Sequence, residues 1–101
     1  TVLDAIAAAT PLLVMPIAFD QPGVAARVAY HRLGVALSRR ASVSAIRSAL
    51  AHLLREPLPR LTALQRELAT AGGAAKAADI VEAALRSQQP ILAESSPCIT
   101  T

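Results

Sequence analysis

The sequence predicts an α/β fold: a parallel strand–helix–strand piece followed by three helices. Three observations predict it. The run Leu12 to Ile17 is apolar on both faces, the pattern of a parallel strand that helices cover on either side. A helical repeat, Val24, Ala25, Val28, Ala29 and Leu33, separates that run from a second short one, Gly34 to Ser38. In one sheet such a connection is a right-handed crossover. From Ser42 onward the apolar residues recur only at helical spacing.

Taken in order, Val2, Leu3, Ile6 and Ala9 mark a first helix from Thr1 to about Ala9, which Pro11 is expected to end. Pro16 lacks an N–H for the ladder, so regular pairing of the first strand should stop near Met15. Pro22 suits the first position of the next helix and Gly34 the residue just past its end. Ser42 caps a helix whose inner face is expected to carry Val43, Ile46, Leu50 and Leu53, and Pro57 stops it. A further helix has the stripe Leu58, Leu61, Leu64, Leu68 and Ala71 and ends at Gly72-Gly73. The last carries Ala77, Ala78, Val81, Ala84 and Leu85. The division is therefore an α/β and helical part, 1–87, and an aperiodic tail, 88–101.

Composition removes several function classes. Apolar residues make up 53 % and charged ones 17 %, a balance that packs instead of staying solvated. Aromatics are 2 %, Tyr30 and Phe19, too few for a platform on which bases stack. The net charge of +3 comes from 10 Lys+Arg against 7 Asp+Glu, and the arginines are dispersed from Arg27 to Arg86, which argues against a nucleic-acid face. The apolar stretch Ala5 to Phe19 is interrupted by Pro11 and Pro16 and is too short to span a bilayer. Cys98 has no second cysteine to pair with, which fits a reducing compartment, and it has no basic or histidine neighbour to activate it. His31 and His52 have no Cys or Glu at ligand spacing, so no metal site is expected.

The loop Asp20-Gln21-Pro22-Gly23 carries the most chemistry. It joins a buried parallel strand to a helix N-terminus, and ligands of open α/β sheets bind outside the carboxyl ends of the strands. A carboxylate beside an amide suits a polyhydroxylated ligand: Asp20 accepts from sugar hydroxyls while the Gln21 amide both donates and accepts. Spacing alone is equally compatible with either residue capping the helix.

The run Thr1-Val2-Leu3-Asp4, followed by Ala9 to Gln21, resembles the C-terminal donor-binding signature of UDP-sugar-dependent glycosyltransferases of the two-domain GT-B fold. That signature reads roughly His-x-Gly-x-Asn-[Ser/Thr]-x-x-[Glu/Asp], then Asp-Gln. The intervals here, three positions from Thr1 to Asp4 and sixteen from Asp4 to Asp20, agree with it. Leu53 to Pro57, Gly72-Gly73 and Ala77 to Leu85 are similar to the family's closing helices, so the likeness covers about 1–87. Within the family, the string Ala18 to Val28 most resembles the bacterial carotenoid glucosyltransferases.

The resemblance implies the C-terminal portion of a GT-B Rossmann-like domain and four donor contacts. Thr1 would offer its hydroxyl to a diphosphate oxygen, and Asp4 would accept from the ribose hydroxyls. Asp20 and Gln21 would hold the hydroxyls of the transferred glucose, fixing the anomeric carbon for in-line attack. It further implies inverting transfer from UDP-glucose to a lipophilic alcohol, zeaxanthin being the leading candidate. No cofactor and no metal take part in that reaction, and the enzyme would be cytoplasmic and able to associate peripherally with a membrane.

Departures from the pattern matter as well. The family's His-Gly-x-x-Asn just before the Thr1 position is absent, and the Asn-Ala that many relatives place after Asp-Gln is Val24-Ala25 here. The half that carries the acceptor pocket and the catalytic histidine in that family is absent too, so no catalytic base is assigned among these residues. The expectation is a segment whose N-terminal domain is an intramolecular partner, inactive alone and prone to self-association through open sheet edges. A second reading, a small basic helical interaction module without catalysis, accounts equally for the helices after Ser42. It leaves the Asp20-Gln21 loop and its distance from Asp4 as coincidence.

Overall fold

A computed structural model describes residues 1–93. Cys98 and the end of the aperiodic tail, 94–101, lie outside the described residues. The order of elements is α1 (Val2–Ala7), β1 (Leu12–Val14), α2 (Gln21–Tyr30), β2 (Gly34–Ala36), α3 (Val43–Arg55), α4 (Pro59–Thr70) and α5 (Gly73–Ser87). The chain divides into two compact units, Thr1–Thr70 and the residues from Ala71 onward. Among the described residues no helix is long and apolar enough to cross a membrane.

In the first unit β1 and β2 pair in parallel, Leu12 opposite Gly34, Leu13 opposite Val35 and Val14 opposite Ala36. The pairing continues one bond further, because the Leu37 N–H donates to the Val14 carbonyl at 2.9 Å. It stops there: Met15 is outside the strand, and Pro16 has no N–H to extend it. The expected strand–helix–strand unit is therefore present, with strands of three residues each. Helices α2 and α3 both pack on both strands.

Two helix ends depart from expectation and share one cause. Helix α2 is not closed by Gly34. The Leu33 N–H reaches the Val28 carbonyl and the Arg32 N–H reaches the Ala29 carbonyl, both at 3.0 Å, with Arg32 in the left-handed region at φ 55°. This is a Schellman stop, in which a left-handed residue turns two amides back onto the last orphan carbonyls. Val28 and Leu33, the apolar pair that accompanies the motif, are both buried. Helix α1 ends likewise: Thr10 donates to Ala5 and Ala9 to Ile6, with Ala9 at φ 50°, so the helix has closed before Pro11.

Gly34 has a different task. A Cβ built there would lie 1.7 Å from the Leu12 carbonyl oxygen and 2.6 Å from its carbon. Only glycine lets β2 approach β1 this closely.

The core of this unit is small. Ile6, Val28, Leu33 and Leu61 are buried together, with Val2, Leu12, Val14, Leu58, Leu64 and Leu68 packed around them. Helix α4 supplies three of these ten, Leu61, Leu64 and Leu68, and Leu58 just ahead of it a fourth, in the register the leucine stripe predicts. It also satisfies α1, since Gln65 Nε2 donates to the Ala7 carbonyl at 2.8 Å, one of the carbonyls that the end of α1 would otherwise leave unpaired.

Helix α3 is capped as expected, the Ser42 hydroxyl accepting from the Ala45 N–H at 3.1 Å. Its buried residues are Ala49 and Leu53, however, and Val43 is 72 % exposed. The face turned to the sheet is the alanine side, because Ala49 lets the helix backbone come close to the strands. Glu56, at ψ 131°, leaves the helix just before Pro57.

In the second unit, Gly72 and Gly73 open α5 instead of stopping α4, which has already ended at Thr70. Gly72 caps the helix at φ 88° and its carbonyl accepts from the Lys76 N–H at 3.2 Å. Helix α5 buries none of its residues, so the apolar stripe with Val81 and Leu85 is open. Arg86 and Glu82 form an exposed ion pair at 3.0 Å on its polar side.

Candidate functional site

The loop from β1 to α2 and the first turn of α2 enclose a hollow of about 350 Å³, near the small end of ligand-binding cavities. Its walls are Leu13, Val14, Met15 and Pro16 from the strand and its exit, and Val24 and Ala25 from the helix. Asp20 and Gln21 are its polar residues. The hollow thus lies at the carboxyl end of a parallel strand and the amino end of a helix of ten residues.

The two polar side chains are held differently. Gln21 Oε1 accepts from the Ile17 N–H at 2.9 Å and from the Ala18 N–H at 3.3 Å. That oxygen is occupied by its own loop, so the acceptor half of the amide pins the turn and the NH₂ is the half left for a ligand. Asp20 is the N-cap of α2, yet its side chain makes no capping bond; its backbone sits at φ −80°, ψ −9°, inside the helical region. A carboxylate reaches back to cap from an extended residue, and this one is not extended. Its oxygens therefore stay available beside the hollow.

Between Ile17 and Asp20 the chain does something the sequence reading missed. Phe19 takes φ 58° and is 96 % exposed. A left-handed backbone costs a bulky residue on the order of 1–2 kcal/mol, and exposing a phenyl ring forgoes the burial that an aromatic usually gains. No periodicity could have singled Phe19 out, because it stands in a loop. The available signal was chemical: an aromatic immediately before a polar pair in a chain almost devoid of aromatics.

Thr1 and Asp4 are placed elsewhere. They are not among the residues lining the hollow. Thr1 is the N-cap of α1 and Asp4 lies in its first turn, and both side chains are fully open to water. Thr1 makes no side-chain cap. The structure thus gathers Asp20 and Gln21 at one hollow and leaves the α1 pair separate from it. Among the described residues no three His, Cys, Asp or Glu side chains converge as metal ligands would.

No protein-family model matches the chain. Its likeness to individual proteins is clear, and they are glycosyltransferases. The chain is 46 % identical, over 101 aligned positions and 94 % of its own length, to the zeaxanthin glucosyltransferase of Pantoea ananas. It is 42 % identical over 93 positions, 90 % of its length, to the zeaxanthin glucosyltransferase of Pseudescherichia vulneris. Identity at that level across nearly the whole chain makes it homologous to these enzymes. The chain spans 22 % of the length of each of these curated relatives.

Proposed function

We propose that this chain is the donor-binding segment of a glucosyltransferase of the GT-B type, which transfers glucose from UDP-glucose to a lipophilic alcohol such as zeaxanthin. Two relatives named as zeaxanthin glucosyltransferases support the reading. So does the Asp20 carboxylate, which is free of its own main chain beside a hollow at the strand end; this single observation carries it.

In the proposed reaction Asp20 accepts hydrogen bonds from two glucose hydroxyls, and the Gln21 NH₂ donates to a third oxygen while its carbonyl keeps the loop in place. Fixing the hexose in this way aims the anomeric carbon at the acceptor oxygen. A C–O bond to the acceptor forms as the bond to the diphosphate oxygen breaks, with inversion. UDP departs, and the acceptor proton goes to a base outside these residues. Thr1 and Asp4 serve the diphosphate and the ribose. The segment by itself does not transfer sugar.

The test is saturation-transfer NMR with UDP-glucose on the full-length enzyme. Asp20→Ala should abolish most of the transfer to the glucose protons while sparing those of the uracil ring. Undiminished glucose signals would remove the role given to Asp20.

A further inference from the structure

Three hydrogen bonds join Gln21 to the start of the loop that carries Asp20. The Gln21 N–H donates to the Ala18 carbonyl at 3.2 Å, which closes a four-residue turn. Its Oε1 accepts from the Ile17 N–H at 2.9 Å and from the Ala18 N–H at 3.3 Å. Ala18 is thus held to Gln21 through both its N–H and its carbonyl. Phe19 and Asp20 are the residues enclosed, so their backbone is fixed from both ends.

That clamp decides between two uses of one carboxylate. Aspartate is among the strongest N-caps, and in that role its backbone is extended while an oxygen accepts from the second or third N–H of the helix. The second residue of α2 is Pro22, which has no N–H, so Gly23 is the amide within reach. Asp20 does not take this option: it sits at φ −80°, ψ −9°, and makes no capping bond. A carboxylate drawn onto Gly23 would have one oxygen fewer for a hexose and would face its own main chain. Local preference favours the cap, and the Gln21 oxygen is the group that opposes it.

We infer that Gln21 is a positioning residue for the sugar site: through its amide oxygen it keeps Asp20 out of the capping conformation and leaves the carboxylate to the hexose. The inference rests on the donor reading above and adds to it a dependence of one residue on the other. Asp20 contributes to sugar binding only while the Gln21 oxygen holds the turn. Loss of that oxygen releases Asp20 onto the Gly23 N–H, where it stabilises α2 and no longer touches glucose.

The experiment is a double-mutant cycle on the full-length enzyme, reading Kd for UDP-glucose and Tm. Its variants are Asp20→Ala, Gln21→Met, which keeps the length and removes the acceptor, and Gln21→Glu, which keeps an acceptor oxygen and removes the NH₂. Asp20→Ala and Gln21→Met should each weaken binding about tenfold and the double variant about tenfold as well, where independent contacts would give about a hundredfold. Gln21→Glu should stay within about threefold of wild type. Asp20→Ala should leave Tm unchanged in the wild type and lower it in the Gln21→Met background, where the carboxylate has become a cap.

Losses that multiply overturn the inference and leave the donor reading intact. So does an unmoved Tm on adding Asp20→Ala to Gln21→Met, or a Gln21→Glu enzyme as weak as Gln21→Met, which would make the NH₂ the working half. Should Gln21→Met not fold, Gln21→Glu decides alone: retained affinity supports the inference and lost affinity overturns it. An Asp20→Ala enzyme that binds UDP-glucose as tightly as the wild type sinks the donor reading, and this inference with it.

Discussion

Arg32 and Gly34 show how single residues divide between local strain and long-range fit. Arg32 occupies a left-handed position in the stop of α2, where glycine would sit without cost. Arg32→Gly is expected to stabilise the unit by about 0.5–1 kcal/mol, visible as a higher urea midpoint at unchanged slope. Two residues on, the sign reverses. Gly34→Ala forces a Cβ into the Leu12 carbonyl, a backbone atom that cannot swing aside. The strands should part at a cost of about 3 kcal/mol or more. Hydrogen exchange would report it, with protection lost at the Leu12 and Leu37 amides, which bond to Leu33 and Val14 across the pair. From sequence, Gly34 was the expected end of the helix and Arg32 had no assigned part in it. The atom that tells them apart is the Leu12 oxygen, which is remote in the chain. Gln21 is the same kind of case: its spacing was legible, but the engagement of its oxygen by Ile17 and Ala18 depends on the path of the loop.

Among the elements, α4 was readable because its stripe is made of leucines at helical spacing and all the side chains needed for burial are on one face. Leu61, 2 % exposed, is its deepest point and meets Ile6, Val28 and Leu33. Leu61→Ala should cost about 2–5 kcal/mol. Against a stability on the order of 5 kcal/mol for a small domain, that loss should flatten the cooperative thermal transition followed by circular dichroism. Helix α3 was less readable. Its largest apolar residues suggested one face, yet Ala49 and Leu53 are what it buries. Close approach to a sheet rewards a small side chain, and a count of apolar residues gives alanine little weight. The Ser42 cap, by contrast, was visible in advance, because a cap is a contact over three residues and needs nothing distant.

At the scale of the chain the governing fact is that, among the described residues, the sheet is a parallel pair with no further strand. Both edges of the sheet carry unpaired backbone groups, and strands of this apolar kind ordinarily have neighbours on each side. Helix α5 adds an open apolar stripe in its own unit. The 101-residue chain should therefore self-associate, with sedimentation velocity showing a mass that rises with concentration; a single monomer species across a hundredfold range, about 1 to 100 μM, would refute this.

Sequence by itself determined the alternation of strand and helix, the leucine stripe, the Ser42 cap and the intervals linking Thr1, Asp4, Asp20 and Gln21. All of these follow from periodicity and from contacts within a few residues. Only the tertiary structure decided that Arg32 and not Gly34 turns the end of α2, and that Gln21 spends its oxygen on the loop while Asp20 keeps both of its own. It also decided that Phe19 stands exposed, with a left-handed backbone, just before Asp20. Those outcomes depend on where a folded backbone brings atoms that are far apart along the chain, and no local pattern encodes that distance.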